Sequence, residues 1–73
     1  MAFIDVRGDI AEGREPFARI MAAVKELGPD EDLELVAPFE PVPLFAAMAD
    51  RGFTHEAAEE PGGVWRVTFR RKS

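Results

Sequence analysis

The spacing of apolar residues switches back and forth along this chain, and that switching limits the fold more than any other feature. Ile4 and Val6 lie two apart, opposite Phe3, Asp5 and Arg7, which predicts a strand over residues 1–8 ending at Gly8. Residues 9–14 carry no period and read as a loop. From Pro16 the repeat becomes helical: Phe17, Ile20, Met21, Val24 and Leu27 fall on one stripe, with Arg19, Lys25 and Glu26 facing out. A helix over 16–28 follows, opened by Pro16, whose missing N–H has no partner at a first helical position, and stopped by Gly28-Pro29. Leu33 and Leu35 then alternate against Glu34 and Val36, a second strand over 32–37 that Pro38 ends.

The second half repeats the scheme. Pro41 and Pro43 introduce a helix over 41–52, rich in the strong helix former alanine and closed by Gly52. Residues 53–60 form the least marked strand, since Ala57, Ala58, Glu59 and Glu60 have little strand preference. Pro61-Gly62-Gly63 reads as a turn in which glycine supplies a positive φ. The strand over 63–71 is clear: Trp65, Val67 and Phe69 lie on one face and Arg66, Thr68 and Arg70 on the other. The order is β-α-β-α-β-β. Within residues 1–73 the economical arrangement is one α/β (α+β) domain, a two-layer sandwich with two helices on one face of a four-stranded mixed sheet. The other face must then tolerate water, which suits Asp5, Arg7, Glu34, Arg66, Thr68 and Arg70.

Composition removes several classes of activity. With no cysteine in 73 residues there is no disulfide framework, no thiolate metal site and no cysteine persulfide chemistry. His55 is the only histidine, so one chain holds no two-histidine metal site, and it reads as an ordinary strand residue. All 14 acidic residues and five of the nine basic ones lie in residues 1–60, leaving Arg66, Arg70, Arg71 and Lys72 as a small basic end. Such a chain is a poor match for a phosphate backbone, and no nucleic-acid partner is expected. No leader-like or membrane-length apolar run occurs, so a cytoplasmic protein without a membrane partner is expected.

The run Ile4-Asp5-Val6-Arg7-Gly8, followed by Glu15-Pro16-Phe17 at a helix start, resembles the opening of the TusA-like (SirA-like) sulfur-carrier superfamily. Val36-Ala37-Pro38-Phe39-Glu40-Pro41-Val42-Pro43-Leu44 and the closing Glu59-Glu60-Pro61-Gly62-Gly63-Val64-Trp65-Arg66-Val67 look like one uncharacterised branch of it, the DUF2249 family. The resemblance covers almost the whole chain and implies the same β-α-β-α-β-β order. Carriers in that superfamily use a cysteine in Cys-Pro-x-Pro at the first helix entrance. Matching its second half to Glu15-Pro16 puts Gly13 at the cysteine position and Arg14 at the first proline, so the nucleophile is missing. Many DUF2249 members look like Asp-His-Asp-Pro-x-Pro-Leu before the second helix. Here Phe39 stands where that histidine would, and it neither ligates metal nor carries protons.

The remaining candidates lie near the helix entrances. Arg7, Arg14 and the amides around Phe17 to Arg19 would cradle a small anion if they share one rim. The competing reading pairs Asp5 and Arg7 each with a neighbouring strand and uses Glu15 or Glu40 as carboxylates at helix starts. As an acid–base pair Glu15 and Glu40 lack a nucleophile or a metal, so an enzyme is not expected, nor is a cofactor. Arg7-Gly8-Asp9 matches an adhesion tripeptide only by coincidence. Pro38, Pro41 and Pro43 stiffen the second loop, where Phe39 and Val42 would be displayed at little entropic cost. The expected function is a non-catalytic binding domain with another protein as partner, which the resemblance places beside a redox, metal or sulfur-handling system. The alternative is a cysteine-less subunit that positions another protein's persulfide. A homodimer through an exposed edge strand is compatible with either.

Overall fold

A computed structural model describes residues 2–14 and 16–72 of the chain. The strands are β1 (Ala2–Asp5), β2 (Leu33–Ala37), β3 (Phe53–Glu60) and β4 (Val64–Arg71), and the helices are α1 (Arg7–Ala11), α2 (Phe17–Lys25) and α3 (Val42–Asp50). They form a two-layer α+β sandwich around one four-stranded mixed sheet of order β1-β2-β4-β3. β1 runs parallel to β2, and β4 is antiparallel to both of its neighbours. The last strand of the chain is therefore inserted beside β2, and β1 and β3 are left as the two edges.

Register explains the core. Ile4, Leu35, Val67 and Ala57 lie in one row across the sheet, and Ala2, Leu33, Phe69 and His55 in the next. On this face Leu33, Leu35, Val67 and Phe69 are fully buried beneath Ile20 and Val24 of α2 and Leu44 and Met48 of α3. The helical stripe and the alternating strands thus bury each other's apolar sides, the step that stabilises a chain of this size. On the opposite face charges pair across strands. Arg66 binds Glu34 of β2 and Glu60 of β3, while Arg70 reaches Asp32 at 3.3 Å and Glu56 at 3.7 Å. Its carboxylate partners, Glu34 first and Glu60 second, raise the pKa of the Arg66 guanidinium.

Three local outcomes differ from the sequence reading. Residues 7–11 are a helix, where strand and then loop were expected. The cause is Asp5, whose carboxylate accepts the Arg7 backbone N–H at 3.0 Å and turns the chain out of the ladder. Arg7 therefore does not share a strand face with Asp5. The second helix ends at Lys25, before Gly28, and its last carbonyls are met by a tighter turn from Glu26 and Leu27. Pro16 and Pro41 sit one position outside their helices, as N-caps. Arg66, Arg70 and Arg71 lie in β4, within the stretch read as a strand over 63–71; the Arg71 guanidinium lies over the Phe53 ring at 4.8 Å.

Candidate functional site

The carboxyl ends of the parallel strands β1 and β2 open onto one end of the sandwich, where α1, the start of α2 and the start of α3 meet. Each must leave the sheet there: β1 because Asp5 turns the chain, β2 because Pro38 has no N–H to continue a ladder. Between them lies an open cleft of about 300 Å³. Leu35 and Ala37 of β2 lie at its base, Ile10 and Phe17 on the side of α1 and α2, and Phe39 and Leu44 on the side of the proline-rich loop and α3. Val6, Pro16, Ile20, Pro41 and Pro43 complete the lining, which among the described residues holds no titratable side chain.

Two aromatic rings stand at the mouth. Phe17 is 43% exposed and Phe39 is 48% exposed, and beside them Val42, outside the lining, is 54% exposed. The sequence reading counted Phe17 with the core stripe of the first helix. At the first turn of α2 that stripe overhangs the end of the sheet, so Phe17 has cleft beneath it where Ile20 and Val24 have strands. Of the expected binding residues, Phe39 and Pro41 line the cleft together. Val42 flanks it, and Glu40 is exposed on the loop between them. Glu15 lies outside the described residues.

The arginines are arranged differently. Arg7 is held by Asp5, with Nη2 at 2.7 Å from Oδ2 and Nε at 3.1 Å from Oδ1. Hydrogen bonds from the Arg7 side chain, and then from its backbone, hold the Asp5 carboxyl at a pKa of about 2. Arg14 binds Glu12 at 2.7 Å and lies 4.0 Å from Asp9. Arg19, expected to face solvent freely, donates to Asp9 Oδ1 at 2.6 Å and to the Asp5 carbonyl at 3.2 Å. Three cations near the helix entrances thus spend their charge on acids of this chain, an arrangement that would have to open to hold an added anion. Asp9 is almost fully buried and bridges α1 to α2, so Arg7-Gly8-Asp9 is a turn of helix.

Gly13, matched to the carrier cysteine, has φ of +75°. Any L-residue placed there meets its own backbone, although the space beside it is open. The turn thus suits glycine and strains a cysteine. His55 is on edge strand β3, its ring stacked on Phe45 with centroids 3.9 Å apart. Among the described residues, no group of three or more His, Asp or Glu side chains is placed to hold a metal ion, and no helix is long and apolar enough to cross a membrane.

No curated protein and no solved structure matches the chain. One family model does, over residues 3–71, and it is described as "Uncharacterized conserved protein (DUF2249)". A match running from within β1 to the last residue of β4 takes in every helix and the cleft between them, and by it the chain belongs to the DUF2249 family.

Proposed function

We propose that the chain is a non-catalytic interaction domain that receives an apolar side chain of a partner protein in the cleft between α1, α2 and the proline-rich loop. The observation that carries this reading is the composition of the cleft: about 300 Å³, lined among the described residues by aliphatic, aromatic and proline side chains, with Phe17 and Phe39 half exposed at its mouth. A site that orients a polar substrate places a few polar groups among its apolar walls. Among the described residues this lining has no polar side chain, so it rewards burial of hydrocarbon. Its volume is at the lower end of ligand pockets, which suits one or two protruding side chains. The prolines hold Phe39 in place before binding, so little conformational freedom is lost on contact.

The TusA-like resemblance supports a partner drawn from a redox, metal or sulfur-handling system, with this chain in a positioning role, since it has no thiol of its own. Phe39→Ser is the test. Immobilised wild-type chain should retain a protein from its own cells at least tenfold better than F39S, with the melting temperature of the two nearly equal. Equal retention would remove the cleft from consideration, and a large loss of stability would assign Phe39 to the core.

A further inference from the structure

β3 is an edge strand of eight residues, and all but its two ends are exposed. Natural edges of this length are commonly blunted by charged side chains, lysine above all, by proline or by a bulge. β3 has no lysine, proline or bulge, its charges are Glu56, Glu59 and Glu60, and its register with β4 is unbroken from Phe53 to Glu60. The Gly52 carbonyl accepts the Lys72 N–H at 2.7 Å, so residues of the same parity, 54, 56, 58 and 60, exchange their backbone bonds with β4. Phe53, His55, Ala57 and Glu59 therefore aim N–H and C=O outward from the sheet.

We propose that a second copy of this chain pairs with that edge, β3 against β3 antiparallel, in the register centred on Ala57. Backbone parity and charge select it. Two outward-aimed residues must face each other, so an antiparallel self-pairing is centred on a single residue. Only centres at Glu56 and Ala57 pair all but one residue of the strand, over residues 53–59 and 54–60. Centring on Glu56 sets Glu56 against its own copy at the close spacing of about 4.5 Å, which repels. Centring on Ala57 sets Glu56 against Ala58, Thr54 against Glu60 and His55 against Glu59, with no acid facing an acid.

The charges that remain are already placed for this arrangement. Glu56 and Glu60 face Arg70 and Arg66 of their own chain at 3.7 and 3.2 Å. Glu59 has no cation within its own chain among the described residues. It meets His55 of the second copy, whose imidazole N–H donates to a carboxylate in either protonation state. His55 is oriented beforehand by its stack on Phe45. The pairing forms about six backbone hydrogen bonds and two His55 to Glu59 contacts about a two-fold axis, joining two sheets into one of order β1-β2-β4-β3-β3-β4-β2-β1.

Light scattering on the intact chain at about 100 µM decides it. The wild type should have twice the 8.1 kDa chain mass. Ala57→Pro removes an outward N–H without touching the ladder to β4, and should return the mass to one chain with unchanged circular dichroism. Glu59→Lys, at an exposed position, should weaken Kd at least tenfold, and the double variant H55E/E59K should restore it to within a few-fold. Should A57P unfold, the Glu59→Lys pair of measurements stands by itself. A wild type of single-chain mass overturns the proposal. So does a dimer that survives both A57P and E59K, which would put the contact at the apolar cleft or elsewhere, or a double variant that fails to recover.

Discussion

Asp5 closes one element and opens the next. Its carboxylate accepts the Arg7 N–H and guanidinium, and its backbone carbonyl accepts Arg19, so one residue ends β1, starts α1 and ties both to α2. A carboxylate so bonded in the folded state, with a pKa of about 2 against about 3.9 when unfolded, contributes stability above pH 4 that is lost as the pH falls toward 2. Carbon-detected NMR titration should show Asp5 ionising near pH 2. In Arg7→Ala it should move up toward the ordinary carboxylate range, and the acid unfolding of that variant should lose part of its dependence on pH between 4 and 2. None of this was legible in the spacing of Asp5 and Arg7, which as strand residues would share a face. The pairing depends on the chain bending between them.

Element by element, the helices α2 and α3 and the strand β4 were readable because each repeats its period over two or more turns or several alternations. α1 was not. Five residues with one large apolar side chain, Ile10, between Gly8 and Gly13 give no period to find, and a helix this short does not persist alone in water. It is held by Ile10 against the core and by the Asp9 to Arg19 bond. Asp9→Ala should therefore lower unfolding stability by about 1 kcal/mol in urea titration, since Arg19 is half exposed, and should speed amide exchange across residues 7–14 first. β3 was legible more through the turn after it than through its own composition. Its alanines and glutamates stay in a strand because β4 supplies the ladder and α3 lies under its Phe53 end.

At the scale of the whole molecule, the core and the cleft share residues. Leu35 is fully buried, and it also lies at the base of the cleft. Leu35→Ala should cost about 2–5 kcal/mol in chemical denaturation, a large fraction of what a domain of this length holds in reserve. The same change deepens the cleft, so partner binding should fall with stability here and independently of it in Phe39→Ser. Measuring both variants separates a docking surface from a frail core.

The amino-acid sequence by itself determined the order of the four strands and the two longer helices, most of their buried sides and the absence of cysteine chemistry. Those properties follow from spacings of two to four residues and from composition, both local. The strand order β1-β2-β4-β3, the helix at residues 7–11, the cleft and the pairing of Arg19, Arg66 and Arg70 were decided only by the tertiary structure. They depend on which distant segments meet: Arg66 with Glu34, Arg19 with Asp9, and Phe17 with the proline loop across the end of the sheet. Such meetings are set by how two apolar faces close on each other, and no short-range period encodes them.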